Sequence, residues 1–178
     1  MASRDVWSRG GPDNFRDLLA GALGALLLHP GDDEPAYFSS PWMSDFPLFQ
    51  NHFRQFAGLF PGRADDPLVT FAEYLVLLSR LRPVRLITVR EHPVSARFSG
   101  HARFRRGERL QVRFADPAYH EKGILSPLFY VEGSMNLTYS GVYVRDEKIV
   151  FHSAADDPGR AKVARARLEF DRFWESLR

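Results

Sequence analysis

Five residues between Tyr119 and Glu147 have the side chains needed to hold a phosphate diester and attack it without a metal. His120 and Lys122 stand two apart, so a strand puts them on one face and turns Glu121 to the other. Ser126-Pro127 marks a turn, and the return strand is expected to bring Gly133 roughly opposite His120. Ser134 and Asn136 then emerge at the same end of the hairpin. Lys122, Ser134 and Asn136 can donate hydrogen bonds to phosphate oxygens. A neutral His120 imidazole is a competent nucleophile toward phosphorus. Glu147 is placed to hold the other ring nitrogen and fix its tautomer. Gly133 lets the backbone pass close to a bound group. The plain alternative is a buried hairpin with incidental polar residues.

The elements that must position these residues can be read in order. Residues 1–13 read as a loose leader before one domain at 14–178. Asn14 is a candidate cap for a helix through Phe15, Leu18, Leu19, Ala22, Leu23 and Leu26, stopped at His29-Pro30-Gly31. Ala36 to Ser40 reads as a strand. Asp45-Phe46-Pro47 reads as the start of a helix through Phe49, Phe53 and Phe56, and Phe60 to Pro67 as a loop. Thr70 to Leu81 has the spacing of an amphipathic helix. Val84 to Val89 is a strand, and Val94 to Phe104 a short helix. Strands are then expected at Leu110–Phe114, Tyr119–Leu125, Leu128–Glu132 and Glu147–His152, with a turn or short helix over Asn136 to Ser140. A final helix runs from Asp157 to Leu177. The pattern is α/β, a mixed β-sheet flanked by helices.

The chain has 178 residues, a formal net charge of +2 and no cysteine, which excludes disulfides and thiolate metal sites. It is long enough for one domain with a real core. The first residues lack the apolar core of a signal peptide, and the longest apolar run, Ala20 to Leu28, is too short to span a bilayer. A cytoplasmic location without stable membrane insertion is expected. Lys122, Lys148 and Lys162 are the only lysines, so positive charge is carried by arginine. Either coding bias or phosphate binding would produce that. Arg97, Arg103, Arg105, Arg106, Arg109 and Arg113 interleave with Phe98 and Phe104. They form either a nucleic-acid groove or a solvated face over core phenylalanines. His29, His52, His92, His101 and His152 show no metal-ligand spacing with carboxylates, so neither a metal nor another cofactor is expected.

The central stretch resembles the His-x-Lys…Gly-Ser-x-Asn (HKD) motif of the phospholipase D superfamily, and most closely its short, single-motif bacterial nucleases. His120, Lys122, Gly133, Ser134, Asn136, Thr138, Gly141 and Glu147 match in order. The Lys122-to-Gly133 interval is one residue short, and Ser126-Pro127 occupies the place of the motif's Asp, a residue thought to support the hairpin. Arg145 stands where Asn is common. Ser39, Pro41, Trp42 and Asp45 resemble phospholipase D-like proteins of bacterial DNA-modification and phage-defence clusters.

The resemblance implies a half-unit that pairs as a homodimer, because two motifs make one site. One His120 would attack phosphorus to give a phosphohistidine, and the second would protonate the leaving oxygen. Catalysis is assigned to His120, Lys122, Asn136 and Glu147, and phosphate binding to Lys122, Ser134 and Asn136. The expected activity is hydrolysis of nucleic-acid phosphodiesters, with DNA the favoured substrate. The alternatives are a catalytically weak, dimeric nucleic-acid-binding component of a larger assembly, or a phospholipid phosphodiesterase.

Overall fold

The computed structural model describes residues 3–7, 12–29, 33–60 and 65–177, residues 12–14 by their backbone. In chain order the elements are β1 (Arg4–Trp7), α1 (Pro12–Leu28), β2 (Ala36–Ser39), β3 (Pro47–Gln50), β4 (Leu68–Thr70), α2 (Phe71–Leu81) and β5 (Val84–Val89). Then come α3 (Pro93–Ser99), β6 (Leu110–Ala115), β7 (Gly123–Leu125), β8 (Phe129–Gly133), α4 (Tyr139–Tyr143), β9 (Lys148–Ser153) and α5 (Asp157–Ser176). Short 3-10 turns lie at Ala57–Leu59 and Ala102–Arg106.

Seven strands form one mixed sheet in the order β1-β9-β8-β7-β2-β5-β6. The strands β2, β5 and β6 are parallel, and β7, β8, β9 and β1 continue antiparallel from β2. Parallel strands covered on both faces read as near-continuous apolar runs. Ala36–Ser39 is buried throughout, and so is Val84–Val89 apart from Arg85. One face carries the larger core. Phe15, Leu19, Leu23 and Leu26 of α1 and Phe71, Tyr74, Leu75 and Leu78 of α2 meet Phe38, Leu86, Ile124 and Val131 there. On the other face, Val163, Ala166, Phe170 and Trp174 line one side of α5 at helical spacing and cover Tyr37, Ile87, Leu125 and Tyr130.

Thr70 and Glu73 close a capping box on α2, the Glu73 carboxylate accepting from the Thr70 amide at 2.9 Å. A second acceptor at this helix start is Asp45 Oδ1, 2.8 Å from the Ala72 amide. That contact explains one correction. Asp45 opens no helix of its own, and Pro47–Gln50 is instead a strand paired to Leu68–Thr70. The spacing of Phe46, Phe49, Phe53 and Phe56 imitates a helix face. Phe53, however, is 92% exposed, while Phe46 stacks on Phe71 at 4.8 Å.

Other boundaries also moved. The segment expected as a leader contributes β1, paired antiparallel to β9, with Val6 buried. Helix α1 begins before Asn14, and Pro30 and Gly31 lie outside the described residues. The stretch expected as one helix at 94–104 is α3 followed by the 3-10 turn. Tyr119 belongs to a turn, its amide donating to the Asp116 carbonyl at 2.9 Å, so β7 starts only at Gly123.

Candidate active site

Because β7 is antiparallel to its neighbours, its start lies at the same sheet edge as the ends of β2, β5, β6 and β8. Gly123 pairs with Ser39 on one side and Glu132 on the other. One step outward, the register puts Gly133 opposite Lys122, two residues short of the expected His120. This edge is where open α/β sheets carry their ligands.

Tyr119 anchors the chain just before His120. Its hydroxyl bonds the Ser39 hydroxyl, and its ring stacks on Phe173 of α5 at 5.2 Å. Burial is the main reason its phenol is pushed far above the usual range. His120 itself is exposed, and its ring has no partner among the described residues. Lys122 turns to the α1/α2 side, where it lines a narrow cavity with Gly133, Met135 and Leu137. Its ammonium donates to the His120 carbonyl at 2.7 Å. Glu121 turns to the α5 side, as alternation requires. Desolvation raises its carboxyl first, and the Glu169 charge raises it further.

The end of β8 is fastened to β9. The Ser134 amide donates to the Lys148 carbonyl at 3.0 Å, and the Lys148 amide donates to Ser134 Oγ at 3.1 Å. Ser134 Oγ donates to Glu147 Oε2 at 2.5 Å. Glu147 is 8% exposed. Its contact thus runs to Ser134, and the tautomer-fixing contact expected with His120 is not made among the described residues. Asn136 is also 8% exposed, and its Oδ1 accepts from Ser40 Oγ at 3.1 Å. A fixed Oδ1 leaves the amide NH₂ as the group available to a ligand. Gly141 permits this placement, since a Cβ there would stand 2.2 Å from the Asn136 carbonyl oxygen.

Ser126 sits at the opposite end of the hairpin. It is fully buried, and Oγ accepts from the Leu128 and Phe129 amides at 3.2 and 3.1 Å. A hydroxyl therefore ties the turn at the position of the motif's Asp, far along the hairpin from Lys122.

Sequence reasoning from the motif did not reach Ser40, His92 or Tyr139. Ser40 and Trp42 follow the end of β2, and the loop crosses toward α3, where Trp42 stacks on His92 at 4.9 Å. A Ser-Pro-Trp run directly after a buried strand was the available signal. The arginine-rich segment divides. Phe98 is buried and Phe104 packs on the core. Arg103 pairs with Glu73 at 2.5 Å, Arg109 with Asp33 at 3.4 Å, and Arg113 lies over Trp174 at 4.5 Å. Arg103 thus sits against α2 and Arg113 against α5, on opposite faces of the sheet. Among the described residues no group of three His, Asp or Glu side chains is placed to hold a metal ion, and no helix is long and apolar enough to cross a membrane.

This sheet with its flanking helices is a phospholipase D-like fold. Nuc from Salmonella typhimurium, described as a phospholipase D family member, superposes with a TM-score of 0.60 at 16% identity, over 99% of this chain and 96% of its own. NucT from Helicobacter pylori superposes at 0.56 and 11% identity, over 98% of this chain and 96% of its own. TrmBL2, described as an archaeal chromatin protein with a novel mode of DNA binding, gives 0.54 and 10%, over 99% of this chain and 53% of its own. No protein-family model and no curated protein matches the chain.

Proposed function

We propose that the protein is a metal-independent phosphodiesterase acting on nucleic acid. One observation carries this reading. Lys122 and Gly133 line one cavity at the sheet edge where β8 runs on into Ser134 and Asn136, beside an exposed, unpartnered His120, in the fold shared with Nuc. The His120 imidazole attacks phosphorus, forming a P–N bond as the P–O bond to the leaving group breaks. His120 of a second copy gives its proton to the departing oxygen. That same imidazole then takes a proton from water, which attacks phosphorus, breaks the P–N bond and frees the first imidazole. Lys122 and the Asn136 amide hold the non-bridging oxygens as charge builds on them, and Ser134 joins them once its single hydroxyl proton turns from Glu147 to the phosphate. Glu147 holds the Ser134 hydroxyl in place. A role in DNA modification or phage defence rests on the resemblance of Ser39, Pro41, Trp42 and Asp45, and phage challenge of cells with and without the protein tests it.

Purified protein incubated in EDTA with single-stranded DNA, duplex DNA, RNA and a generic phosphodiester should cleave at least one of them, and His120→Ala should abolish that cleavage. Lys122→Ala should lose about 3 kcal/mol of transition-state stabilisation, read from kcat/KM. Acid-labile, base-stable labelling at position 120 identifies the phosphohistidine. Cleavage that needs an added divalent metal would sink the mechanism.

A second reading has its own support. The Lys122 ammonium and the Ser134 hydroxyl are both engaged within the chain, and TrmBL2 shares the fold. A binding component would hold DNA with salt-sensitive affinity and cleave no faster than His120→Ala.

A further inference from the structure

Beside the candidate active site lies an open cleft of about 540 Å³ whose wall includes Asn136. Trp42, Val94 and Tyr139, 36%, 42% and 51% exposed, all line it. Soluble surfaces seldom gather large apolar side chains without a use for them. Each of the two aromatics is stacked on a second ring, and His92, the partner of Trp42, also lines the cleft. Trp42 stacks on His92 at 4.9 Å and 26°, and Tyr139 stacks on Tyr143 at 4.9 Å and 10°. The loop carrying Trp42 is held as well. Ser40 Oγ lies 2.7 Å from the Trp42 carbonyl and shares its one proton between that oxygen and Asn136 Oδ1, and the Tyr139 amide donates to Ser44 Oγ at 3.1 Å. Arg145 adds positive charge, and no Asp or Glu lines the cleft among the described residues.

We propose that this cleft is a base subsite, in which an unpaired nucleobase next to the bound phosphate stacks on Trp42, so that the protein selects single-stranded over duplex nucleic acid. The inference rests on the reading of Asn136 as a phosphate ligand, because Asn136 belongs to both the site and the cleft. Rigid, stacked aromatic walls suit a flat π-face and contribute little to holding a flexible acyl chain. Arg145 suits the phosphate of the neighbouring nucleotide. Bases inside a duplex have both faces covered by their neighbours, so only an unstacked base can meet the indole.

The test is binding, measured without turnover. Fluorescein-labelled oligothymidine is titrated into the His120→Ala protein by anisotropy, with unlabelled single strand, a duplex of the same length and phosphatidylglycerol vesicles as competitors. The single strand should compete at least about tenfold better than the duplex, and vesicles should not compete. Adding Trp42→Ala should weaken oligothymidine binding about tenfold, and Trp42→Phe should recover most of it, which separates stacking from a folding defect. Equal competition by duplex or vesicles, or unchanged affinity in Trp42→Ala, overturns the base subsite. The two readings fail separately. Binding through Trp42 without any cleavage by the unmodified protein leaves the subsite and removes the phosphodiesterase. Cleavage of both strand forms with Trp42→Ala indifferent removes the subsite alone.

Discussion

Gly133 shows how closely single atoms are constrained at the site. Its φ is +155°, and a Cβ there would lie 2.2 Å from the Lys148 carbonyl oxygen. That oxygen accepts the Ser134 amide, so a methyl group would push Ser134 away from Glu147. Gly133→Ala should cost about 2–3 kcal/mol, read by chemical denaturation, with activity falling more than stability alone explains. Next to it, Glu132 lies 2.9 Å from both Lys162 Nζ and His152 Nε2. Burial pushes its carboxyl up, but the hydrogen bonds and charges of Lys162 and His152 outweigh that and hold it below the usual value. A depressed folded pKa means the unfolded chain takes the proton first, so stability from this group is present above the unfolded pKa, about 4.3, and is lost as pH falls through the folded one. Glu132→Gln should lower the melting temperature at neutral pH and make little difference once the Glu132 carboxyl is protonated in both the folded and the unfolded chain. A melting-temperature difference that stayed constant down to the acid limit would contradict this account. At this scale the sequence was most legible where the chemistry is local. His120, Lys122, Ser134 and Asn136 stand within one hairpin, and alternation alone separates Lys122 from Glu121. Ser40 and Trp42 come from the loop after β2, far upstream, and nothing near the motif points to them. Glu147 stood out in the sequence as a candidate, but its bond to Ser134 did not, because the two meet only through the β8–β9 register.

Among the elements, the hairpin β7–β8 presents the site at one end and depends on Ser126 at the other. Ser126→Ala would leave the half-buried Leu128 amide and the buried Phe129 amide without this acceptor, at a cost of about 1–3 kcal/mol. Denaturant titration of that variant measures it, and a change below a few tenths would show that the turn holds without the hydroxyl. Elements with one dominant cause were legible. Helix α2 has an apolar stripe and a capping box, β5 is an apolar run broken only by Arg85 and Thr88, and α5 is capped by Asp156, whose Oδ1 accepts the Gly159 amide at 2.8 Å. Misread elements had competing causes. Phenylalanines at helical intervals mark a strand and a loop around Pro47–Gln50, because Asp45 is drawn to the start of α2. Asp116-Pro117 begins a turn that takes Tyr119 out of β7. The strand β1 is only Arg-Asp-Val-Trp, and its burial pattern has a single inward residue, so it carries almost no signal before β9 is there to pair with it.

For the whole molecule, the number of imidazoles sets the question. One chain presents one exposed His120, while the proposed transfer to nitrogen and release from it would call for a nucleophile and an acid on opposite sides of phosphorus. A homodimer with the two sheet edges facing each other would supply both, with a two-fold axis between the histidines. Sedimentation at micromolar concentration should therefore give twice the chain mass. Mass alone leaves open where the copies meet, and a mixing experiment addresses that directly. Wild-type and His120→Ala chains, denatured together and refolded at varied ratios, assort at random into dimers. If both histidines serve one site, only dimers of two wild-type chains turn over, and activity should fall with the square of the wild-type fraction. If each chain works alone, activity falls in direct proportion. Far-UV circular dichroism and sedimentation of each mixture check that folding and dimer content stay constant across the series. A linear dependence in a verified dimer would show that the copies associate elsewhere. A fully active monomer would remove the need for a second imidazole, and the acid would then have to be sought among Glu147, Lys122 and water within one chain.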